Sequence, residues 1–162
     1  MPADEGHEQE LVPRFARLMR ASNRDIAVTI PIVALLRAAV RVGAALEDAV
    51  SPAGLTVPQY SVLMELAPTP GGRLSLSEIG RRCLKSPPNV TAIVDRLESV
   101  GLVLRVRDDA DRRVVLAEIT DPGWDALGVA APRAFAVQRR ALAALSDSDR
   151  AALIDPLDRV AR

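Results

Sequence analysis

Asn89, Thr91 and a set of arginines carry hydrogen-bonding chemistry in a spacing that suits a DNA base edge better than a reaction centre. A Ser86-Pro87-Pro88-Asn89 helix start leads through Val90-Thr91 to Asp95-Arg96-Leu97-Glu98 and then Gly101-Leu102-Val103. Two β-like runs follow on either side of Asp108-Asp109-Ala110-Asp111-Arg112-Arg113. The amide of Asn89 can pair bidentately with adenine, and Thr91 can offer a hydroxyl, or a methyl to thymine. Ser86 and the free N–H groups of the first turn suit a phosphate oxygen, with Pro88 and Ala92 on the same leading turns. No catalytic set competes. There is no Gly-rich phosphate loop and no metal-ligand cluster, and the lone histidine, His7, has no plausible nucleophile, so no catalytic residue, metal or cofactor is expected.

The elements that must position these residues are legible from caps and breaks. Glu8 to Arg20 has Leu11, Val12, Phe15, Leu18 and Met19 at helical spacing. A second helix begins near Thr29 with Pro31 in its first turn, repeats apolar residues from Ile32 to Val50, and stops at Ser51-Pro52-Ala53-Gly54. Thr56-Val57-Pro58-Gln59 and Ser75-Leu76-Ser77-Glu78 read as capping boxes, opening helices to about Ala67 and about Leu84. Ser86 with Pro87 opens a third, burying Val90, Ile93, Val94 and Leu97 and stopping at Gly101. Leu102–Arg107 and Arg113–Ile119 read as strands of a hairpin. Asp121-Pro122 then caps a long helix through Leu145, and Ser146-Asp147-Ser148-Asp149 caps a last one. Prolines 132 and 156 fall inside these two helices, where kinks are expected.

Charge and composition narrow the class without deciding it. The chain of 162 residues is 49% apolar and has zero net charge, yet Arg73 to Arg113 holds nine basic against six acidic residues. That excess is too small to imply nucleic acid by itself. The apolar stretch Ile26–Val50 is interrupted by Pro31, Arg37, Arg41, Glu47 and Asp48, which argues against a membrane span. Residues 1–10 are acidic and lack the order of a signal peptide, and one cysteine agrees with a reducing compartment, so a cytoplasmic location is expected. Cys83, beside apolar Leu84, reads as a buried structural thiol rather than a redox sensor.

The order helix, helix, helix, strand, turn, strand is that of a winged helix-turn-helix, with Ser86–Val100 as the helix that enters the major groove and the hairpin as its wing. The fold expected is mainly α with a small β-hairpin wing. Residues 1–28 form a partly disordered extension with a short helix, 29–54 and 121–162 dimerisation helices, and 55–120 the DNA-binding domain. The terminal helices carry more apolar face than so small a winged domain can cover, which points to a homodimer. A two-fold dimer predicts a pseudo-palindromic operator with recognition helices roughly 34–36 Å apart.

Leu55-Thr56-x-x-Gln59, Val90-Thr91-x-x-Val94-Asp95-Arg96-Leu97-Glu98-x-x-Gly101-Leu102-Val103-x-Arg105, Asp111-x-Arg113 and Ile119-Thr120-x-x-Gly123 resemble the MarR family of bacterial transcriptional regulators, over roughly residues 30–160. The resemblance implies a homodimeric winged-helix repressor of double-stranded DNA. It also implies that the wing arginine Arg113 enters or flanks the minor groove, that Asp111 supports the wing, and that Asp95-Arg96 links recognition helix, wing and backbone; Arg105 joins the DNA-binding set. It further implies a small aromatic or phenolic effector between the dimer helices and the DNA-binding domain, for which Tyr60, Trp124, Arg37 and Arg41 are the candidates. Arginines of the N-terminal extension could reach flanking phosphates, although packing across the dimer fits them better. A winged-helix protein-interaction module without DNA binding is the alternative reading.

Overall fold

The computed structural model of the chain describes residues 26–108 and 111–160, with side chains from residue 29 on; the helix expected at residues 8–20, the N-terminal arginines and His7 lie outside these. The chain divides into two units, Met1–Arg41 and Val42–Arg162. Helix α1 (Ile26–Val50) starts earlier than expected, so Pro31 sits inside it rather than in its first turn. Up to Arg41 it carries exposed Ile30, Ile32, Val33, Leu36 and Val40. Its charges are spaced so that an 18-residue window holds at most two of them, with mean hydropathy 1.7 and none of the window buried. By length and composition, then, it could span a membrane, and contrary to expectation the charges named above do not disqualify it.

In the second unit, a 3₁₀ turn (Ser51–Ala53) leads to helix α2 (Val57–Leu66). Gln59 Oε1 accepts from the Thr56 N–H at 2.9 Å and from its hydroxyl at 3.0 Å, which ties down the start of α2 as expected from the Thr-x-x-Gln pattern. The Val57 N–H donates to the Glu47 carboxylate. After Pro70–Gly72 comes a strand that sequence patterning missed, β1 (Arg73–Ser75). Gly71 and Gly72 both have positive φ, and a Cβ on Gly72 would collide with Ile119 Cγ2, so only glycine brings β1 this close to its neighbour.

Helix α3 (Leu76–Arg82) is capped by Ser75, whose Oγ accepts from the Glu78 N–H at 3.2 Å. The Glu78 carboxylate does not complete the box, because it pairs with Arg81 and Arg82 instead. The helix ends two residues earlier than expected because Leu84 takes a left-handed conformation, φ 51°. Helix α4 (Pro87–Ser99) follows, with Val90, Val94 and Leu97 buried, Ile93 half-buried, and Gly101 (φ 75°) terminating it.

Strands β2 (Val103–Arg107) and β3 (Val115–Ile119) pair antiparallel, Val103 opposite Ile119 and Arg107 opposite Val115. Strand β1 adds to β3, giving a three-stranded sheet in the order β1-β3-β2 rather than a bare hairpin. Helix α5 (Asp121–Ala141) is capped by Thr120, not Asp121: the Gly123 N–H donates to Thr120 Oγ1 at 3.1 Å. It gives way to turns before Leu145. Helix α6 (Asp147–Val160) begins at the expected Ser146 cap, with Asp149 reaching back to the Ser146 N–H. Prolines 132 and 156 both lie inside continuous helices. The core gathers side chains from every helix of this unit except α6, including Val50, Leu63, Leu66, Ile79, Leu97, Val103, Ile119 and Ala130.

Candidate nucleic-acid interface

Amphipathicity fixes which side of α4 can meet a ligand. With Val90, Val94 and Leu97 turned into the core, Pro88, Asn89, Thr91, Ala92 and Arg96 are left exposed, and Ser86 precedes them, also exposed. The Thr91 hydroxyl donates to the Pro87 carbonyl at 3.1 Å, so the hydroxyl is partly engaged and the methyl becomes the freer of its two recognition groups. Ser86 makes no side-chain cap bond, which leaves its hydroxyl available.

The wing is braced against this helix. The Arg105 guanidinium reaches Asp95 at 2.7 Å and also pairs closely with Glu98, while Glu98 Oε1 accepts from the Arg105 N–H at 3.2 Å. Burial would lower the Arg105 pKa, but the two carboxylates outweigh it and hold the guanidinium above its ordinary value. Arg105 is therefore engaged as a strut between α4 and β2. At the wing end, Asp111 Oδ1 accepts from the Arg113 N–H at 3.0 Å, Asp108 Oδ1 accepts from the Asp111 N–H at 2.9 Å, and the Arg107 guanidinium donates to the Arg112 carbonyl. This folds the turn on itself and leaves the Arg112 and Arg113 side chains exposed.

The residues proposed for an effector do not form one described site. Arg37 and Arg41 line a shallow cleft of about 380 Å³ with Val33, Leu36 and Val40 in the first unit. Tyr60 and Trp124 belong to the second. Tyr60 is 6% exposed, its hydroxyl has no hydrogen-bond partner among the described residues, and burial pushes its pKa up. Trp124 is 44% exposed in the first turn of α5. Cys83 is half-buried at the end of α3 rather than fully buried; burial raises its thiol pKa, the Glu65 carboxylate adds to that, and Lys85 opposes it. Among the described residues no cluster of His, Cys, Asp and Glu could hold a metal ion.

Sequence reasoning missed a cleft of about 270 Å³ between the start of α2 and the exposed side of α4. Thr56, Pro58, Gln59 and Lys85 line it together with Asn89, Ala92, Ile93 and Arg96. The i, i+3, i+4, i+7 spacing of Asn89, Ala92, Ile93 and Arg96 marks one stripe of α4, but nothing in the sequence pairs that stripe with α2.

Comparison with known proteins agrees with this geometry. The MarR family profile matches residues 53–114. The chain is 35% identical over 105 residues to the HTH-type transcriptional repressor Rv2887 of Mycobacterium tuberculosis, covering 62% of the chain and 71% of that repressor. It spans only 52% and 34% of the length of two other curated regulators it matches, one of them described as a transcriptional activatory protein. Among solved structures, Sco3205, a MarR family regulator from Streptomyces coelicolor in complex with DNA, matches with TM-score 0.78 and 25% identity, covering 84% of this chain and 87% of that one. CouR from Rhodococcus jostii RHA1, bound to p-coumaroyl-CoA, matches with TM-score 0.75 and 29% identity, covering 83% and 93%.

Proposed function

The chain belongs to the MarR family of transcriptional regulators, a non-enzymatic family, and from that premise we propose that it acts as a homodimeric, sequence-specific DNA-binding repressor released by a small ligand. One observation carries the DNA reading: Ser86, Pro88, Asn89, Thr91 and Ala92 at the start of α4 are exposed on the side away from the core, and the end of the wing exposes Arg112 and Arg113. In this reading Asn89 and the Thr91 methyl meet base edges, Arg113 lies in or beside the minor groove, and Asp111 holds the wing turn.

The dimer is supported within each unit by apolar side chains the chain leaves in solvent, Ile30, Leu36 and Val40 on α1 and Ile154, Leu157 and Val160 on α6. An effector class is supported by the p-coumaroyl-CoA bound to CouR, and repression by the description of Rv2887. The effector would act by differential affinity for two dimer states, lowering DNA affinity by that difference. A cytoplasmic location follows from this role, with the apolar side of α1 covered by the partner subunit rather than by lipid.

Fluorescence anisotropy of the full chain on the duplex upstream of its own gene, against a scrambled duplex and across a salt series, tests the proposal. Tight, selective binding that weakens with salt is the expected outcome, since phosphate neutralisation releases counterions. Equal weak binding to both duplexes would place the operator elsewhere. No binding at low salt would favour a protein-interaction module.

A further inference from the structure

We infer that the tip of α4 reads the 5-methyl group of thymine, through Pro88, the Thr91 methyl and Ala92, rather than gripping a phosphate with its helix N-terminus; this rests on the DNA-binding reading above. The row of first-turn N–H groups expected to hold a phosphate is broken. Pro87 and Pro88 have none, and the Val90 N–H donates to the Ser86 carbonyl at 3.1 Å. That leaves the Asn89 N–H, which has no partner among the described residues. A helix terminus that binds an anion presents several such donors.

What the tip offers instead is apolar. Pro88, Thr91 and Ala92 stand at i, i+3 and i+4, so they are neighbours on the helix surface, and all are exposed. The Thr91 hydroxyl donates to the Pro87 carbonyl, which selects one of the rotamers open to a helical threonine and leaves its methyl as the uncommitted group. Of the groups that bases display in the major groove, the thymine 5-methyl is the apolar one. A G·C pair finds little here, because the acceptors of guanine call for arginine or lysine and the amino group of cytosine for a carboxylate. Between Ser86 and Asp95 there is no basic residue, and Asp95 is held by Arg105 at 2.7 Å. Lys85 lies before the helix and Arg96 in its third turn. Asn89, a surface neighbour of Ala92 at i, i+3, can take the adenine of an adjacent pair. The step under the tip of α4 is therefore built of A·T pairs, with thymine methyls packed on Pro88, Thr91 and Ala92.

The full chain selects a duplex from a randomised pool, and anisotropy then measures binding after symmetry-related thymines are replaced, pair by pair, with deoxyuridine. That change deletes the methyl and keeps every hydrogen-bonding group. At the thymines under α4 affinity should fall about fourfold for each contacted methyl, and replacement at the remaining thymines should leave it unchanged. Thr91→Ser keeps the hydroxyl but loses the methyl, so its preference for thymine over uracil at one position should fall toward parity. Thr91→Val keeps the methyl and should retain that preference. Equal binding of thymine and uracil at every position, or an equal loss at every thymine as a change in duplex shape would give, would overturn the methyl reading while leaving the regulator intact. A preference kept by Thr91→Ser and lost by Thr91→Val, or a selected duplex without thymine in its half-sites, would do the same. Failure of the wild type to select any duplex would remove the DNA reading and this inference together.

Discussion

Helices α4 and α6 are nearly equal in length, 13 and 14 residues, and treat their apolar side chains in opposite ways. In α4, Val90, Val94 and Leu97 are at most 1% exposed. In α6 no residue is buried, and Leu153, Ile154, Leu157 and Val160 are 41% to 63% exposed. The winged part of the chain is thus complete within one polypeptide, and the last helix is not. Hydrophobic burial contributes roughly 25 cal/mol per Å², so α4 is stabilised by its own unit while α6 awaits a second surface.

The sharpest way to break this contrast is a charge on the open side. Ile154→Asp should convert the proposed dimer to monomer in analytical ultracentrifugation while the circular dichroism of the winged unit persists; a dimer that survives would mean α6 is covered in some other way. On the closed side, Leu97→Ala should destabilise the chain by about 2–5 kcal/mol in urea unfolding through the cavity it leaves. A loss below about 1 kcal/mol would show that the site around α4 collapses easily.

Arg113→Ala should weaken duplex binding roughly tenfold, about 1.4 kcal/mol, with unchanged thermal stability. Retained affinity at matched salt would count against the wing assignment. Glu98→Gln tests the strut: because its partner Arg105 is only partly shielded, the stability change should stay within about 1 kcal/mol. Duplex affinity should fall with selectivity kept, and a selectivity change would instead make Arg105 a base reader.

The smallest effect concerns the start of α6. The Ser146 hydroxyl and N–H hold the Asp149 carboxyl below the usual carboxylate range. A depressed folded pKa contributes stability above the unfolded value, near about 3.9, that is lost as pH falls through the folded one. Ser146→Ala should therefore lower the thermal midpoint slightly at neutral pH, with the difference from wild type closing in strong acid. A difference independent of pH would exclude the carboxylate.

Much of the winged unit was legible because its signals are local. Ser75 and Ser86 preceding helices, the 90-94-97 apolar stripe and glycine at 101 each report a conformation within a few residues. What escaped depends on distant chain. Strand β1 is three residues long, too short for alternation to register, and exists because β3 offers an edge. Thr120 outcompetes Asp121 as the cap, an outcome a Thr-Asp-Pro sequence leaves open. Lys85, Thr56 and Gln59 enter the cleft only because α2 lies against α4, and the engagement of Arg105 by two carboxylates depends on β2 folding back beside α4. The charges of α1 interrupt its apolar run at several points, yet they are spread widely enough that a membrane-length window holds no more than two.

Thr120 does more than start α5. Its hydroxyl donates to the Gly101 carbonyl at 2.7 Å, its N–H donates to the Leu102 carbonyl, and its Oγ1 accepts from the Gly123 N–H. A single residue therefore ties the turn that follows α4 to the first turn of the 21-residue helix α5. Under the proposed two-state mechanism, any reorientation of α5 would have to carry Gly101 and Leu102 with it or break these bonds.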